Sequence, residues 1–171
     1  RPLAPATPRA QRRVDAEAAV RHLGRAGVRA SILRIPGIYA PDREGGTPRA
    51  RLLKGTPVLE ASDDVFTNHI NADDLARACM AALWRGRAQR AYNVSDGHHL
   101  RMGDYFDLAA DLYGLPRPPR IARSAAKEQL PLVLLSFMSE SRRLDNQRMV
   151  QELGLRLQFP DVATGLSQRP A

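Results

Sequence analysis

Apolar residues recur along the chain with two alternating spacings, and the alternation predicts helices exchanging with short strands. From Arg9 to Arg25, Val14, Ala18, Val20 and Leu23 can share one stripe with charged residues elsewhere, and Gly27 follows. Val28 to Ile35 reads as a strand running into Pro36-Gly37. Thr47-Pro48 starts a short helix with a cap residue and a first-turn proline, and Gly55 ends it. Thr56 to Ala61 and Val65 to Ile70 read as strands around a polar Ser62-Asp63-Asp64 turn.

The clearest helix carries Asp73 and Asp74 in its first turn, where carboxylates suit the positive end of the helix dipole. Its predicted apolar face is Leu75, Ala78, Cys79, Ala82 and Leu83, and Gly86 follows its end. Ala91 to Val94 is then a strand, Ser95-Asp96-Gly97 a turn, and Met102 to Tyr113 a helix burying Phe106, Ala109, Ala110 and Tyr113. Pro116-Arg117-Pro118-Pro119 is a stiff connector. A helical stretch interrupted by Pro131 and a last helix from Asn146 to Leu153 complete the pattern. Arg1 to Pro8, rich in proline and alanine, reads as extended. Helix exchanging with strand is the grammar of a doubly wound α/β fold.

Composition narrows this picture modestly. The 171 residues are 43% hydrophobic, enough for one globular core, and no apolar run approaches the roughly 20 residues that span a bilayer. No membrane partner is therefore expected. A single cysteine, Cys79, excludes an internal disulfide and a cysteine-based metal site, which suits a cytoplasmic setting. The net charge of +8 raises nucleic acid as a partner, but the arginines are dispersed and few aromatics stand among them, which argues against it.

Several strings, in order over nearly the whole chain, resemble the second half of the extended short-chain dehydrogenases, the NAD(P)-dependent epimerase/dehydratase family. Leu33 to Pro41 (LRIPGIYAP) is similar to the family's L-R-x-x-x-V-Y-G-P, and Asn68 to Ala76 (NHINADDLA) to its H-V-x-D-x-A segment. Tyr92-Asn93-Val94-Ser95 resembles the strand after it. Asp145 to Gly154, Phe159-Pro160 and Gly165-Leu166 resemble the closing elements. The resemblance implies an α/β fold: the C-terminal portion of a Rossmann-type doubly wound parallel sheet plus a small substrate-binding lobe. Residues 1–40 would supply the last helix and strand of the Rossmann-like core, and 41–171 the lobe, with a returning core strand near 91–94. It also implies NAD or NADP as cofactor, a nucleotide sugar or similar small polar molecule as substrate, and a homodimer built on the helix resembling Arg9 to Arg25.

Two departures qualify it. The family holds its dinucleotide on a G-x-x-G-x-x-G turn after a strand. No such turn occurs here, so the cofactor-binding half is expected to precede Arg1. The family's Tyr-x-x-x-Lys pair, which lowers a phenol pKa for proton transfer, falls by counting back from Glu17 on Arg9 and Arg13. A guanidinium stays protonated and supplies no acid–base function near neutral pH. The catalytic residues are thus unassigned, and the chain alone is expected to be inactive. A non-catalytic NAD(P)-binding or sensor module of the same fold remains open beside an enzyme.

The resemblance places Pro36, Gly37 and Ile38 against the cofactor, and Tyr39, Asn68, Arg142 and Arg143 around the substrate. Forked guanidiniums suit phosphate or carboxylate. Each has a plainer reading: a strand-end turn for Pro36 to Ile38, core for Tyr39, and a solvated or ion-paired surface for the two arginines. His69 is expected to tie its strand to the helix start rather than bind metal, since its neighbours offer too few ligands at that spacing. Asp73 and Asp74 are expected to serve the helix N-terminus, His98 and His99 to be solvated, and Cys79 to fill core.

Overall fold

A computed structural model of the chain describes residues 5 and 7–167. Most of the Arg1–Pro8 stretch expected to be extended lies outside those residues. Helix α1 (Pro8–Arg25) begins where Thr7 Oγ1 accepts the Ala10 N–H at 3.1 Å and proline occupies the first position. None of its residues is buried. The Val14, Ala18, Val20 and Leu23 stripe therefore does not form a core face: Val14 and Val20 are half-buried, and Ala18 and Leu23 are exposed.

The strand predicted over residues 28–35 is shorter. β1 (Ile32–Arg34) stops before Pro36, which has no N–H to give a ladder. The chain then changes partner: β2 (Gly37–Tyr39) belongs to a different ladder. After α2 (Arg49–Leu53), the two predicted strands shrink to β3 (Val58–Leu59) and β4 (His69–Asn71). The polar turn between them has a purpose that periodicity does not show. Asp63 Oδ2 accepts the Arg123 N–H and Asp64 Oδ2 the Gly103 N–H, each at 2.8 Å, so one turn caps two later helices.

Helix α3 (Ala72–Arg85) is capped by Asn71, whose side chain accepts the Asp73 N–H. Its buried face is the predicted one in part: Leu75, Ala78 and Ala82 lie in the core, but Cys79 and Leu83 do not. Asp74 and Ala78 are fully buried, with Leu75, Ala81 and Ala82 packed alongside, whereas Cys79 is exposed and Leu83 is 81% exposed. Apolar residues also stand outside that face, Met80, Leu83 and Trp84 among them, so period alone does not mark its edge. The expected core role of Cys79 is corrected accordingly.

β5 (Ala91–Asn93) returns beside β1 in parallel register, Ile32 opposite Ala91 and Arg34 opposite Asn93. β2 pairs in parallel with β4, and β3 with β6 (Arg120–Ile121). Parallel ladders need crossover connections, and here helices supply them. Helix α4 (Met102–Tyr113) buries Phe106, Ala109 and Ala110 and ends on left-handed Gly114, as its spacing predicts, but it buries Tyr105 as well and leaves Tyr113 half-buried. Pro131 splits the following helical stretch into α5 (Arg123–Gln129) and α6 (Leu132–Met138). α7 (Gln147–Leu153) and α8 (Val162–Leu166) complete the fold.

Two apolar clusters hold it together. One gathers α4, α2, β3 and α8 around Tyr39, Val58, Leu59 and Phe106. The other joins Ile70, Ala78, Tyr92, Val94, Met149 and Leu153. Asp74 bridges chain segments: its oxygens accept the Gln158 and Phe159 N–H groups at 2.9 and 2.8 Å, and Arg77 pairs with it. It docks the segment after α7 rather than serving its own helix terminus, while Asp73 stands exposed in the first turn.

Candidate functional site

Parallel ladders leave strand carboxyl ends on one rim, and in open α/β sheets ligands bind outside that rim. At the carboxyl ends of β1 and β5 the chain continues as Ile35-Pro36-Gly37 and as Val94-Ser95-Asp96, with Asn68 and His69 alongside at the start of β4. Ile38 is 41% exposed and Gly37 is open to solvent. A Cβ on Gly37 would lie 3.3 Å from His69 Cδ2 and 3.4 Å from the Asn68 carbonyl. The glycine thus lets β2 approach His69.

His69 does not tie its strand to the helix start as expected. Its ring stacks on Tyr105 of α4, centroids 4.1 Å apart and planes 19° from parallel. Burial in this contact lowers its pKa to about 4, so the ring is neutral near pH 7. Tyr39, expected at the substrate, is 2% exposed, and its hydroxyl donates to the Asp161 carbonyl at 3.4 Å. Burial also raises its pKa, and any side chain at Gly165 would run into its ring. That expectation is corrected: within this chain Tyr39 is core, because the residue after Ile38 turns toward α8.

Asn68, Arg142 and Arg143 do come together. Residues 140–146 have no regular secondary structure and run as a strap past the same rim. Asn68 Nδ2 donates to the Arg142 carbonyl and Asn68 Oδ1 accepts the Leu144 N–H, both at 2.8 Å. The Arg142 N–H reaches the Phe66 carbonyl at 3.2 Å, and Ser141 Oγ accepts the Phe66 N–H at 3.1 Å. Farther along, Asn93 Nδ2 donates to the Asp145 carbonyl and Asn146 Nδ2 to the Ser95 carbonyl. Arg142 is paired with Glu140. The Arg143 guanidinium lies over the Phe66 ring at 5.1 Å, and that of Arg101 lies 5.6 Å from the same ring. Phe66 and Arg101 escape sequence reasoning, since a lone aromatic in an apolar run and an arginine before a helix carry no signal.

Arg9 and Arg13 are exposed on the first turns of α1. Arg9 lies over the Phe137 ring at 5.1 Å, which joins the start of α1 to α6. Glu17 forms a forked pair with Arg34, both bonds at 2.7 Å, fixing α1 to the end of β1. The pair lowers the Glu17 pKa and raises that of Arg34.

Sequence spacing shows Asp96 only as part of a turn. It is buried, with Oδ1 accepting the His98 N–H at 3.2 Å and Oδ2 without a hydrogen-bond partner among the described residues. Burial raises its pKa to about 7. His98 and His99 are exposed. Beside this turn a pocket of about 320 Å³ is lined by His98, Leu100, Leu108, Asp161, Val162 and Ala163. Among the described residues no three His, Cys, Asp or Glu side chains converge as metal ligands, and no helix is long and apolar enough to cross a membrane.

No family model matches the chain, and no curated protein does. Solved structures do. A functionally unknown conserved protein from Silicibacter pomeroyi superposes with a TM-score of 0.80 at 29% identity, over 97% of this chain and 56% of that one. The fold is Rossmann-type α/β. PA4631, a nucleoside-diphosphate-sugar epimerase from Pseudomonas aeruginosa, matches at 0.72 with 25% identity, over 89% of this chain and 50% of its own. The UDP-glucose 4-epimerase of Thermus thermophilus, solved with NAD, matches at 0.70 over 97% and 53%. At 20% identity that last likeness is one of fold alone. The chain spans about half the length of the structures it matches.

Proposed function

We propose that this chain is part of an NAD(P)-dependent epimerase/dehydratase-like protein, and that it supplies the wall of the site that holds a nucleotide sugar or a similar small polar substrate. The observation that carries the reading is the strap. Its far end is fastened by Asn93 and Asn146 at the carboxyl end of β5, and Asn68, just before β4, holds the backbone on either side of Arg143; ligands in this fold class bind outside strand carboxyl ends. Arg143 has aromatic support and, among the described residues, no carboxylate partner within ion-pair distance, so its fork is open to a phosphate. The likeness to PA4631 supports the substrate class.

The nicotinamide cofactor is a weaker fit to these residues. Half-exposed Ile38 beside open Gly37 offers an apolar wall for a flat ring. Nothing in the 171 residues offers a Gly-rich turn for the pyrophosphate. The chain alone is therefore expected to bind NADH weakly in a fluorescence titration, and tight binding would contradict this assignment. Substrate binding is tested by calorimetry with UDP. Binding that Arg143→Ala weakens about tenfold, the loss of one charge-assisted contact, is the expected result. Binding indifferent to Arg143 would refute the reading.

A second reading, a non-catalytic NAD(P)-binding or sensor module, is favoured by Arg9 and Arg13. Arg9 is engaged over Phe137, and neither arginine can shuttle a proton near neutral pH. It predicts nucleotide binding without turnover across a panel of nucleotide sugars. Sustained NADH production on any of them excludes it.

A further inference from the structure

Asn68 is placed oddly for a residue that touches a ligand, because both ends of its carboxamide are already used. Its Nδ2 donates to the carbonyl of Arg142 and its Oδ1 accepts from the N–H of Leu144, each at 2.8 Å. These are the two backbone groups that flank Arg143. A neighbouring parallel strand would make the same pair of bonds to the residues on either side of its partner. The Asn68 side chain therefore takes the place of a peptide unit and pins the backbone of Arg143 in an extended form, in a segment without regular secondary structure. The Arg143 guanidinium then settles on Phe66, two residues before Asn68 on the same stretch of chain. Asn93 and Asn146 fasten the far end of the strap to β5.

We infer that Asn68 is a positioning residue: it brackets Arg143 and so fixes where that guanidinium is offered to the phosphate of a nucleotide ligand. The ligand part of this inference rests on the function proposed above, whereas the bracket does not. A carboxylate at position 68 could still accept from Leu144 but would face the Arg142 carbonyl with no hydrogen to donate, so Asn68→Asp should behave nearly as badly as Asn68→Ala.

Two measurements on the 171-residue chain separate the parts. Trypsin cuts after arginine, and Arg142 and Arg143 are both exposed, so the pinned strap is the feature that protects them. Asn68→Ala and Asn68→Asp are expected to raise the rate of cleavage at 142 and 143 about tenfold over that at Arg12 and Arg13, which lie far from the strap in sequence, as loss of two hydrogen bonds allows. Equal rates in wild type and variants would overturn the bracket. UDP binding is then measured for Asn68→Ala, Arg143→Ala and the double variant. A positioning role predicts about a tenfold loss in each and no further loss in the double, because the bracket works only through Arg143. Additive losses would overturn it by showing that Asn68 acts on the ligand independently. If wild type binds no UDP, the proposed function fails, and the cleavage rates still decide the bracket.

Discussion

Helices α1 and α4 make an instructive pair. The first has 18 residues and none buried; the second has 12 and buries six. Both start and stop by local rules that sequence carries, and both form. What differs is the means of attachment. α4 is held by Phe106, Ala109 and Ala110 inside the larger apolar cluster, and its N-terminus is met by Asp64 from a distant turn. α1 is held by polar ties along its length: Arg9 on Phe137, Glu17 with Arg34, and Arg21 donating to the Gln89 carbonyl at 3.1 Å. Burial fastens an element strongly and without direction; ion pairs at a surface fasten it weakly and in a particular place.

Substitutions can press on that contrast. The largest effect is expected at the core of α4. Phe106→Ala should cost about 3–5 kcal/mol in urea unfolding, because it opens a cavity among buried neighbours. A loss under about 1 kcal/mol would mean that α4 is no better anchored than α1. Next comes Asp74→Ala, which leaves the Gln158 and Phe159 N–H groups without their acceptor. About 2–4 kcal/mol is expected in the same assay, with faster proteolysis after residue 154.

The pH dependence has two opposed parts. His69 is neutral in the fold, with a pKa lowered to about 4 from an ordinary 6.5, so the stability it contributes is present above 6.5 and lost as pH falls toward 4. Asp96 is a carboxyl whose pKa rises from 3.8 to about 7. The unfolded chain ionises first, so its contribution is present below about 4 and is lost as pH rises to about 7. The two nearly cancel between pH 4 and 6.5. Asp96→Asn should uncover a stability that climbs with pH across that window, measured by thermal melts at half-unit steps. A variant curve parallel to wild type would show that Asp96 titrates normally. The smallest effect returns to α1: Glu17→Ala should cost about 0–1 kcal/mol, because its partner Arg34 is partly exposed. Amide exchange confined to α1 is the readout, and a global loss of stability would show that α1 is anchored as α4 is.

How much of this is legible in the sequence follows the same divide. The α4 stripe, the glycine stops at Gly114 and Gly154, and the exchange of helices and strands can be read from spacing, because one buried face and one permissive glycine each leave a local mark. Among the candidate site residues, Asn68, Arg142 and Arg143 do lie together in space, but the role of Asn68 is not visible in the sequence. Nothing local says that a side-chain amide will stand in for a strand 74 residues away. Cys79 is misplaced by spacing and Tyr39 by the resemblance, although the plainer reading of Tyr39 as core holds: an apolar residue at a strand end or at the edge of a helix stripe has two sides to choose from, and packing chooses.

The sequence by itself overran the strands and showed no β2, β6 or α8. It did determine where the longer helices begin and end to within a few residues, the alternation that makes the fold α/β, and the absence of any Gly-rich turn among these residues. Those are properties of neighbours along the chain, set by backbone geometry and by the spacing of apolar side chains. Only the tertiary structure decided that Asp74 is buried to receive two distant N–H groups, that Asp96 keeps one oxygen unpaired among the described residues, and that the strap carrying Arg143 is fastened by asparagines. Each depends on desolvation or on partners brought from distant parts of the chain, terms that have no counterpart until the chain has closed on itself.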